Sequence, residues 1–311
     1  MKNFIRKLLQ LTTIAAALII LLFVLTNYLV RQKSSYMLPS NIDKIVVGHS
    51  HSECSFNDRL IQNTTNLSSS GESYMYTYFK IAELLKENQN IKTVFVEFAN
   101  NQINENKNDW LWGNEFMPYK YPLFGPFMDV EANYILFRHN LSGYLRSVGL
   151  LIRRNLHNLI VELDFDYTKK IGGHLRLERE EIDAALSGAK KIEEVNCSNY
   201  KKSEYNIRYL RKIIDLAESN NTKIYLVRSP LHPRYEELKN EPCFQATLRE
   251  LPMIEFLDFK DFPLTNSEFG DLEHLNYRGA EKFSLFFDEL LKNGLLNKKG
   301  KQTIIDDATT K

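Results

Sequence analysis

Residues 44–58 read KIVVGHSHSECSFND, and this stretch decides how the rest of the chain is interpreted. The β-branched run that ends at Gly48 is typical of a buried strand, and the residues after it have a helical pattern. The serine between two histidines admits three interpretations. Ser50 is a nucleophile on a strand-to-helix turn, the histidines belong to a metal site, or the segment is only a polar loop.

The same alternation of strands and helices continues along the chain. Strands are predicted within residues 63–73, 91–101, 222–233 and 253–261, and amphipathic helices within residues 72–89, 203–221 and 276–294. Alternating strands and helices form βαβ units, so we predict an α/β protein with three α/β/α layers and a central parallel sheet. Functional side chains are then expected at the carboxyl ends of the strands.

The composition excludes some functions. The chain has 311 residues and a formal net charge of +1, so it can hold a large domain with an insertion, and its overall charge indicates no nucleic-acid partner. The three cysteines, Cys54, Cys197 and Cys243, show no C-x-x-C spacing, which argues against a zinc knuckle or a redox dithiol. One pair could form a disulfide in an oxidising compartment, and the sequence leaves open which.

The N-terminus carries a membrane signal. Residues 8–30 contain no charged side chain, and this length suffices to cross a hydrocarbon core of roughly 30 Å. Basic residues flank both ends with a slight excess before the apolar run, so we expect the N-terminus in the cytoplasm and the globular part outside. The apolar core is longer than that of a cleaved signal peptide, and no small-x-small cleavage site follows it. We predict a single-pass transmembrane anchor at residues 1–30.

The other boundaries follow from composition and spacing. Residues 31–41 are predicted to be a polar tether, residues 42–296 the α/β domain, and residues 297–311 a disordered tail. About a hundred residues, 103–203, separate two elements of the predicted sheet domain, which exceeds an ordinary connection. We interpret this segment as an inserted subdomain or lid.

The strongest chemical pattern comes late in the chain, in the stretch GDLEHLNYRGAEKFS. Asp271 and His274 are three residues apart, so one helical turn places them on the same face. The carboxylate can then orient the imidazole by accepting a hydrogen bond from its Nδ1–H. Together with Ser50 after the first strand, this pattern predicts a nucleophile, a base and an orienting acid.

In their order along the chain these motifs resemble the SGNH (GDSL-like) hydrolase superfamily. Ser50 matches the nucleophile of that family, and Asp271 and His274 match its Asp-x-x-His block. Gly71, in NLSSSGES, matches the glycine whose backbone N–H binds the oxyanion, and Asn101, in ANNQ, matches the asparagine that gives its side-chain amide.

The chain also departs from the family pattern. His49 replaces the aspartate that precedes the nucleophile, Ala99 replaces the glycine of the third block, and Gln102 replaces its aspartate. Asn100 is a rival of Asn101 for the oxyanion role.

The resemblance covers residues 44–101 and 222–291 and implies a serine esterase or O-acyltransferase that uses no cofactor. With the membrane anchor, it implies action on ester-linked acyl groups of a cell-envelope glycan or glycolipid, beside a multi-spanning acyltransferase. The alternative is a catalytically inactive SGNH-like module that binds a glycan or a membrane partner. The departures from the family pattern support that alternative.

The roles of the flanking histidines stay open. His51 can act as a second acid or a substrate contact, or it can pack against the following helix. His49 has the same functional interpretation, or its side chain points into the interior of the fold. A zinc site built from His49, His51 and His274 has no evident fourth ligand, so we predict no metal.

Two further groups have a functional and a purely structural interpretation. Arg228, at the end of a strand, binds an anionic or sugar substrate, or it pairs with a buried carboxylate. Aromatic side chains in and beside the insertion could stack on sugar rings, although packing of a small subdomain is the commoner use: Trp110, Trp112, Tyr119 and Tyr121.

Overall fold

The computed structural model describes residues 1–189, 192–251 and 254–310. Within them the strands are β1 (Lys44–Val47), β2 (Thr64–Asn66), β3 (Thr93–Glu97), β4 (Lys223–Arg228) and β5 (Glu255–Asp258). The α-helices are α1 (Lys2–Lys33), α2 (Ser50–Ser55), α3 (Tyr74–Glu87), α4 (Asn108–Trp112), α5 (Met117–Phe124), α6 (Val130–His139), α7 (Leu141–His157), α8 (Ile182–Gly188), α9 (Glu204–Ser219), α10 (Glu241–Arg249), α11 (Tyr277–Lys292) and α12 (Lys301–Thr309).

The strands form one parallel sheet in the order β2-β1-β3-β4-β5 across the described residues. The register pairs Val46 with Phe95 between β1 and β3, and Phe95 with Tyr225 between β3 and β4. This order is that of flavodoxin-like sheets, in which the chain reverses direction along the sheet between β1 and β3. The predicted parallel α/β fold is therefore confirmed, and the crevice for a ligand is expected at the carboxyl ends of β1 and β3.

Helices cover the sheet because its strands are apolar on both faces. The three valine and isoleucine residues of β1 are fully buried, as expected for a strand in a parallel sheet. On one face α11 contributes Phe283 and Phe287, whose rings each lie 5.1 Å from that of Phe56 after α2. These aromatic side chains form the centre of the core on that side. In another helical layer α3 packs against α9.

The chain forms two compact units. One consists of Met1–Tyr36 and Trp112–Tyr167, and the other, which contains the sheet, consists of Met37–Leu111 and Thr168–Lys311. The predicted insertion at 103–203 is therefore wrong in its boundaries, since only its middle part joins α1. Residues after Tyr167 return to the sheet unit because their backbone is bonded there, as in the bond from the Leu175 N–H to the Glu53 carbonyl at 2.9 Å.

The N-terminal segments differ in part from the prediction. The helix α1 is long and apolar enough to cross a membrane, by length and composition. It extends to Lys33, so the predicted tether is shorter than 31–41. Tyr36 within that stretch is buried, with its ring stacked 5.3 Å from Tyr167 and edge-on 5.2 Å from Phe127. Aromatic packing therefore fixes part of a segment that the composition indicates as a polar tether.

The prediction of a disordered tail is also wrong for the described residues up to 310. The helix α12 buries Ile305 in the core cluster, and Lys301 pairs with Glu255 at 2.6 Å. The side chain of Gln302 accepts the N–H of Asp258 at 2.8 Å, which joins the helix to β5. Lys311 lies outside the described residues.

Candidate active site

Ser50 is the first residue of α2 and follows β1 through a sharp turn at Gly48 and His49. Gly48 has a φ of 156°, and a Cβ there would lie 2.4 Å from the Cβ of Glu97 and 2.6 Å from the Oγ of Ser52. Only glycine fits this close approach to β3. It leaves the Ser50 side chain half-buried at the carboxyl end of the sheet.

The structure brings Ser50, His274 and Asp271 together. The Nε2 of His274 lies 2.8 Å from the Oγ of Ser50, and its Nδ1 lies 3.0 Å from each carboxylate oxygen of Asp271. Because an ionised carboxylate only accepts hydrogen bonds, the Nδ1 carries the proton and the Nε2 accepts the Ser50 hydroxyl. The three residues therefore have the geometry of a nucleophile, a base and an orienting acid.

Asp271 is itself fixed by the backbone of its own turn. Its Oδ1 accepts the N–H of Glu273 at 2.9 Å and the N–H of His274 at 2.8 Å, and Arg179 also contacts the carboxylate. Burial opposes ionisation of Asp271, but the hydrogen bond and charge of His274 outweigh burial and lower the pKa. The carboxylate is thus held in its charged form.

The two predicted oxyanion residues occupy loops after β2 and β3. Gly71 is buried with a φ of 65°, in a loop that is tied to the turn before Ser50 by the bond from the Ser69 N–H to the Gly48 carbonyl at 3.0 Å. Asn101 is also buried, and its Nδ2 lies 3.4 Å from the Nε2 of His51. The structure thus places Asn101 among the histidines of the site.

The rival assignment of Asn100 is wrong because its side chain is already bonded elsewhere. Its Oδ1 accepts the Nη1–H of Arg228 at 2.7 Å, and its Nδ2 donates to Asn240 at 3.0 Å and Glu241 at 2.7 Å. Asn100 and Asn101 are adjacent on a single turn of 3₁₀-helix, Asn100–Ile103, which directs their side chains to different surroundings.

Arg228 is not a substrate-binding residue but the centre of that buried cluster. Its guanidinium is fully buried and donates to Asp258 at 2.9 Å and 2.5 Å and to Glu241 at 2.7 Å and 3.2 Å. Burial alone would lower the pKa of Arg228, but Asp258 and Glu241 raise it. Of the two interpretations of Arg228, the structure supports pairing with carboxylates, because its guanidinium donates to Asp258, Glu241 and Asn100.

His51 lies in the site but is fully buried, so it does not present its ring to solvent. Its Nε2 lies 3.2 Å from the Oε2 of Glu273, which also accepts the Tyr235 hydroxyl at 3.0 Å. Burial lowers the pKa of His51 more than Glu273 raises it, so the ring is neutral and donates its Nε2–H to Glu273. Because that nitrogen carries a proton, it does not accept from the Asn101 amide, which also hydrogen-bonds the side chain of Tyr235.

Glu273 is the partly exposed partner of the buried His51. Its side chain is 38% exposed, and burial raises its pKa, but the hydrogen bond from His51 and other contacts lower it to about 2. A carboxylate that stays ionised therefore stands directly beside His274. Its position inside the Asp-x-x-His block was the signal that could have identified it from the sequence.

A lysine that the sequence did not indicate lies beside the histidines, next to the predicted Trp110. The Nζ of Lys107 lies 3.4 Å from the ring centre of Trp110, and the Trp110 ring lies 5.5 Å from that of His49. Burial lowers the pKa of Lys107 to about 8. Trp110 thus adjoins the site, whereas Trp112 stacks on His139 at 4.0 Å in the other compact unit.

The remaining predicted aromatic residues serve packing or lie at the surface. Tyr121 is fully buried and donates to Asn133 at 2.6 Å, while Tyr119 is exposed. Both belong to the compact unit that contains α1.

Two groups of side chains have spacing that could hold a divalent metal ion. Donor atoms of His49, His51 and Glu97 lie within 4.8 Å of one another, and so do those of His51, Glu273 and His274. Imidazole and carboxylate donors suit zinc. In both groups the carboxylate already accepts hydrogen bonds, from Ser229 in the first and from Tyr235 in the second. Neither group is the set of three histidines weighed from the sequence.

The comparisons with known proteins add little to this geometry. A protein-family model that carries no description matches residues 164–296. No curated protein matches the chain. One solved structure, titled "The structure of a putative platelet activating factor from Streptococcus pneumonia", aligns with 91% of this chain and 97% of that chain, at 11% identity and a TM-score of 0.40. The interpretation of the site therefore rests on its own residues.

Proposed function

We propose that the protein is a membrane-anchored, serine-dependent esterase or O-acyltransferase of the SGNH type. Its substrates are ester-linked acyl groups of a cell-envelope glycan or glycolipid. The observation that supports the proposal is the chain of hydrogen bonds from Asp271 through His274 to Ser50, with Ser50 at the carboxyl end of β1. That edge of a flavodoxin-like sheet is where ligands are expected.

In this mechanism the Ser50 Oγ attacks the acyl carbonyl carbon while the Nε2 of His274 takes its proton. The Asp271 carboxylate stabilises the imidazolium that results. The tetrahedral intermediate collapses, the C–O bond to the alcohol breaks, and His274 returns the proton to the leaving oxygen. Water or a sugar hydroxyl then gives a proton to His274 and attacks the acyl carbon. The bond from that carbon to the Ser50 Oγ breaks, and His274 returns the proton to the Oγ.

The negative oxygen of the tetrahedral intermediate needs hydrogen-bond donors. The proposed donors are the backbone N–H groups of Ser50 and Gly71 and the side-chain amide of Asn101. The neutral tautomer of His51 supports the role of Asn101, since that amide has no acceptor at the protonated Nε2. Loss of one such donor typically lowers turnover by about 10²–10³-fold.

The groups around Ser50 suit a hydroxyl-rich substrate. The ionised and partly exposed Glu273 accepts hydrogen bonds, and it disfavours an anionic acyl group beside the nucleophile. The ring of Trp110 offers an apolar surface next to the charge of Lys107. These features favour a neutral acyl ester on a sugar.

The proposed location is a single-pass membrane anchor with the sheet unit outside the cytoplasm. The apolar helix α1 supports the anchor, and the basic residues before it favour a cytoplasmic N-terminus. The disulfide between Cys197 and Cys243, with a Cα–Cα distance of 5.3 Å, suits an oxidising compartment. Envelope polymers and a multi-spanning acyltransferase are the partners that such a location brings within reach.

A serine-reactive fluorophosphonate probe tests the proposal on the full chain in detergent. Wild type is expected to be labelled, Ser50→Ala to lose labelling, and His274→Ala to label much more slowly. Ser52→Ala is the matched control, since its hydroxyl lies two residues away and donates to the His49 carbonyl at 3.1 Å. Labelling that persists in Ser50→Ala, or is absent from folded wild type at every pH while glycan binding persists, would favour the inactive binding module instead.

A further inference from the structure

The consecutive helices α6 and α7 carry a row of exposed apolar side chains. On α6 these are Val130, Tyr134 and Phe137, at the spacing of one helix face, and on α7 they are Leu141 and Leu145. Their exposed fractions run from 45% for Phe137 to 86% for Val130. We call these five side chains the α6–α7 face. A contiguous apolar patch on a protein surface marks an interaction site.

The α7 helix is divided into three rows. One row is buried in its own compact unit, and a second row, which begins at Leu141 and Leu145 and continues through Val148 and Ile152, is apolar and at least partly exposed. At 100° per residue, a third row of exposed basic side chains adjoins the apolar row: Arg146, Arg153 and His157. An apolar row beside a basic row is typical of helices that lie in a membrane interface.

The same compact unit contains α1, which connects this face to the membrane span. The Nδ2 of Asn155 on α7 donates to the Oδ1 of Asn27 on α1 at 2.7 Å, and Thr26 is buried at this contact. A helix rises about 1.5 Å per residue, so a hydrocarbon core of about 30 Å that begins at Leu8 ends near Asn27. The end of α7 therefore meets α1 at the level where α1 leaves the bilayer. Beyond it, Ile160 and Leu163 are again apolar and exposed.

We infer that the α6–α7 face lies in the headgroup region of the bilayer that α1 crosses. Its apolar side chains insert at the ends of the acyl chains, and Arg146 and Arg153 contact anionic lipid headgroups. Tyr134 has the amphipathic ring that is enriched at this depth. The inference rests on the proposed membrane anchoring and is independent of the proposed chemistry at Ser50. The occupant is a lipid surface rather than a second protein, because the apolar row of α7 ends near the contact of α7 with α1 and lies beside a row of basic side chains.

Single-cysteine labelling in lipid nanodiscs tests this inference with the full chain. The environment-sensitive dye NBD is attached at Leu145→Cys. The matched control is Leu285→Cys, at a leucine of similar exposure on α11 of the sheet unit. The native free thiol, Cys54, does not compete because it is buried and burial raises its pKa to about 12. The nanodiscs contain phosphatidylcholine with phosphatidylglycerol, with or without nitroxide-labelled acyl chains.

We expect NBD at Leu145→Cys to emit at shorter wavelength than at Leu285→Cys and to lose fluorescence when nitroxide lipids are present. Adding Arg146→Glu and Arg153→Glu is expected to weaken that loss in phosphatidylglycerol nanodiscs and not in phosphatidylcholine alone. An unquenched dye at Leu145→Cys, in protein that stays with the nanodiscs, would overturn the inference and leave the anchor intact. A blue shift without quenching would assign the face to another copy of the chain and also overturn it. Protein that does not enter nanodiscs at all would refute the proposed membrane anchor and, with it, this inference.

Discussion

Glu97 provides a quantitative test of the buried polar groups beside the candidate site. Its side chain is fully buried at the end of β3, where the carboxyl accepts the Ser229 N–H at 3.1 Å and the Ser229 hydroxyl at 2.5 Å. Burial raises the pKa of this carboxyl from 4.5 to about 7, against the opposing effect of Ser229. The perturbation is Glu97→Gln, which keeps the shape of the side chain and removes its titration.

The sign and size of the effect follow from proton binding. Between pH 4.5 and about 7 the native protein holds a proton at Glu97 that the unfolded chain releases. The stability due to this carboxyl is therefore fully present below pH 4.5 and is lost as the pH rises through about 7. One pKa unit corresponds to about 1.4 kcal/mol, so wild type is expected to lose about 3 kcal/mol relative to Glu97→Gln.

Thermal unfolding followed by circular dichroism, in one detergent from about pH 5 to pH 8, measures this difference. A change of 1 kcal/mol shifts Tm by about 2–4 °C in a domain of this size. The Tm of Glu97→Gln minus that of wild type is therefore expected to rise by roughly 6–12 °C between about pH 5 and pH 8. Burial also lowers the pKa values of His49 and His51, so the protein loses stability as the pH falls through their range. Wild type and Glu97→Gln share this effect, and it cancels in the comparison. Glu218→Gln, at an exposed carboxyl on α9, is the control and should follow wild type. A Tm gap that stays constant with pH would refute the reasoning.

Three further predictions concern the positioning acid, the buried ion pair and the disulfide. Asp271→Asn is expected to lower the rate of fluorophosphonate labelling by about 10²–10⁴-fold. The reason is that an amide, unlike the Asp271 carboxylate, does not fix the tautomer of His274. Arg228→Met is expected to lower the free energy of unfolding by about 3 kcal/mol, since it leaves two partly buried carboxylates without their partner, and chemical denaturation tests it. Replacing Cys197 and Cys243 by serine opens a loop of 46 residues and is expected to lower the free energy of unfolding by about 4 kcal/mol. A lower midpoint in chemical denaturation would show this loss.

The sheet could be predicted because each strand has its own apolar signal and each helix its own periodicity. β-branched runs such as that of β1 are buried on both faces in a parallel sheet, so they lack the alternation of an exposed strand. The rule that functional groups gather at the carboxyl ends then directs attention to the residues after β1 and β3. The same rule predicts that Ser50, after β1, and the Asp271–His274 pair, after β5, lie at one edge of the sheet.

The partners of individual side chains could not be predicted in the same way. Asn100 and Asn101 are adjacent in sequence, yet one joins Arg228 and the other lies beside His51, because a 3₁₀ turn directs successive side chains apart. The burial of Arg228 depends on carboxylates from β5 and α10, which are 30 and 13 residues away.

The predictions for two segments are wrong because the composition of each segment is a weak guide to its structure. The tail after residue 297 is polar on average, but Ile305 finds a place in a core that other elements create. Residues 103–203 look like one insertion because none of the residues described in that range belongs to the sheet, whereas the chain divides there between two compact units. Such a division depends on contacts between distant segments, which periodicity does not record.

Three features are evident from the amino-acid sequence alone: the apolar N-terminal helix, the alternation of strands and helices, and the Asp-x-x-His spacing. These features depend on local hydrophobicity and on neighbours within one turn of chain, and both can be read from consecutive residues. The contact of His274 with Ser50, the hydrogen bond of His51 to Glu273 and the burial of Arg228 are evident only from the folded structure. Each of these contacts joins residues on separate elements, so it depends on how the sheet and its helices pack.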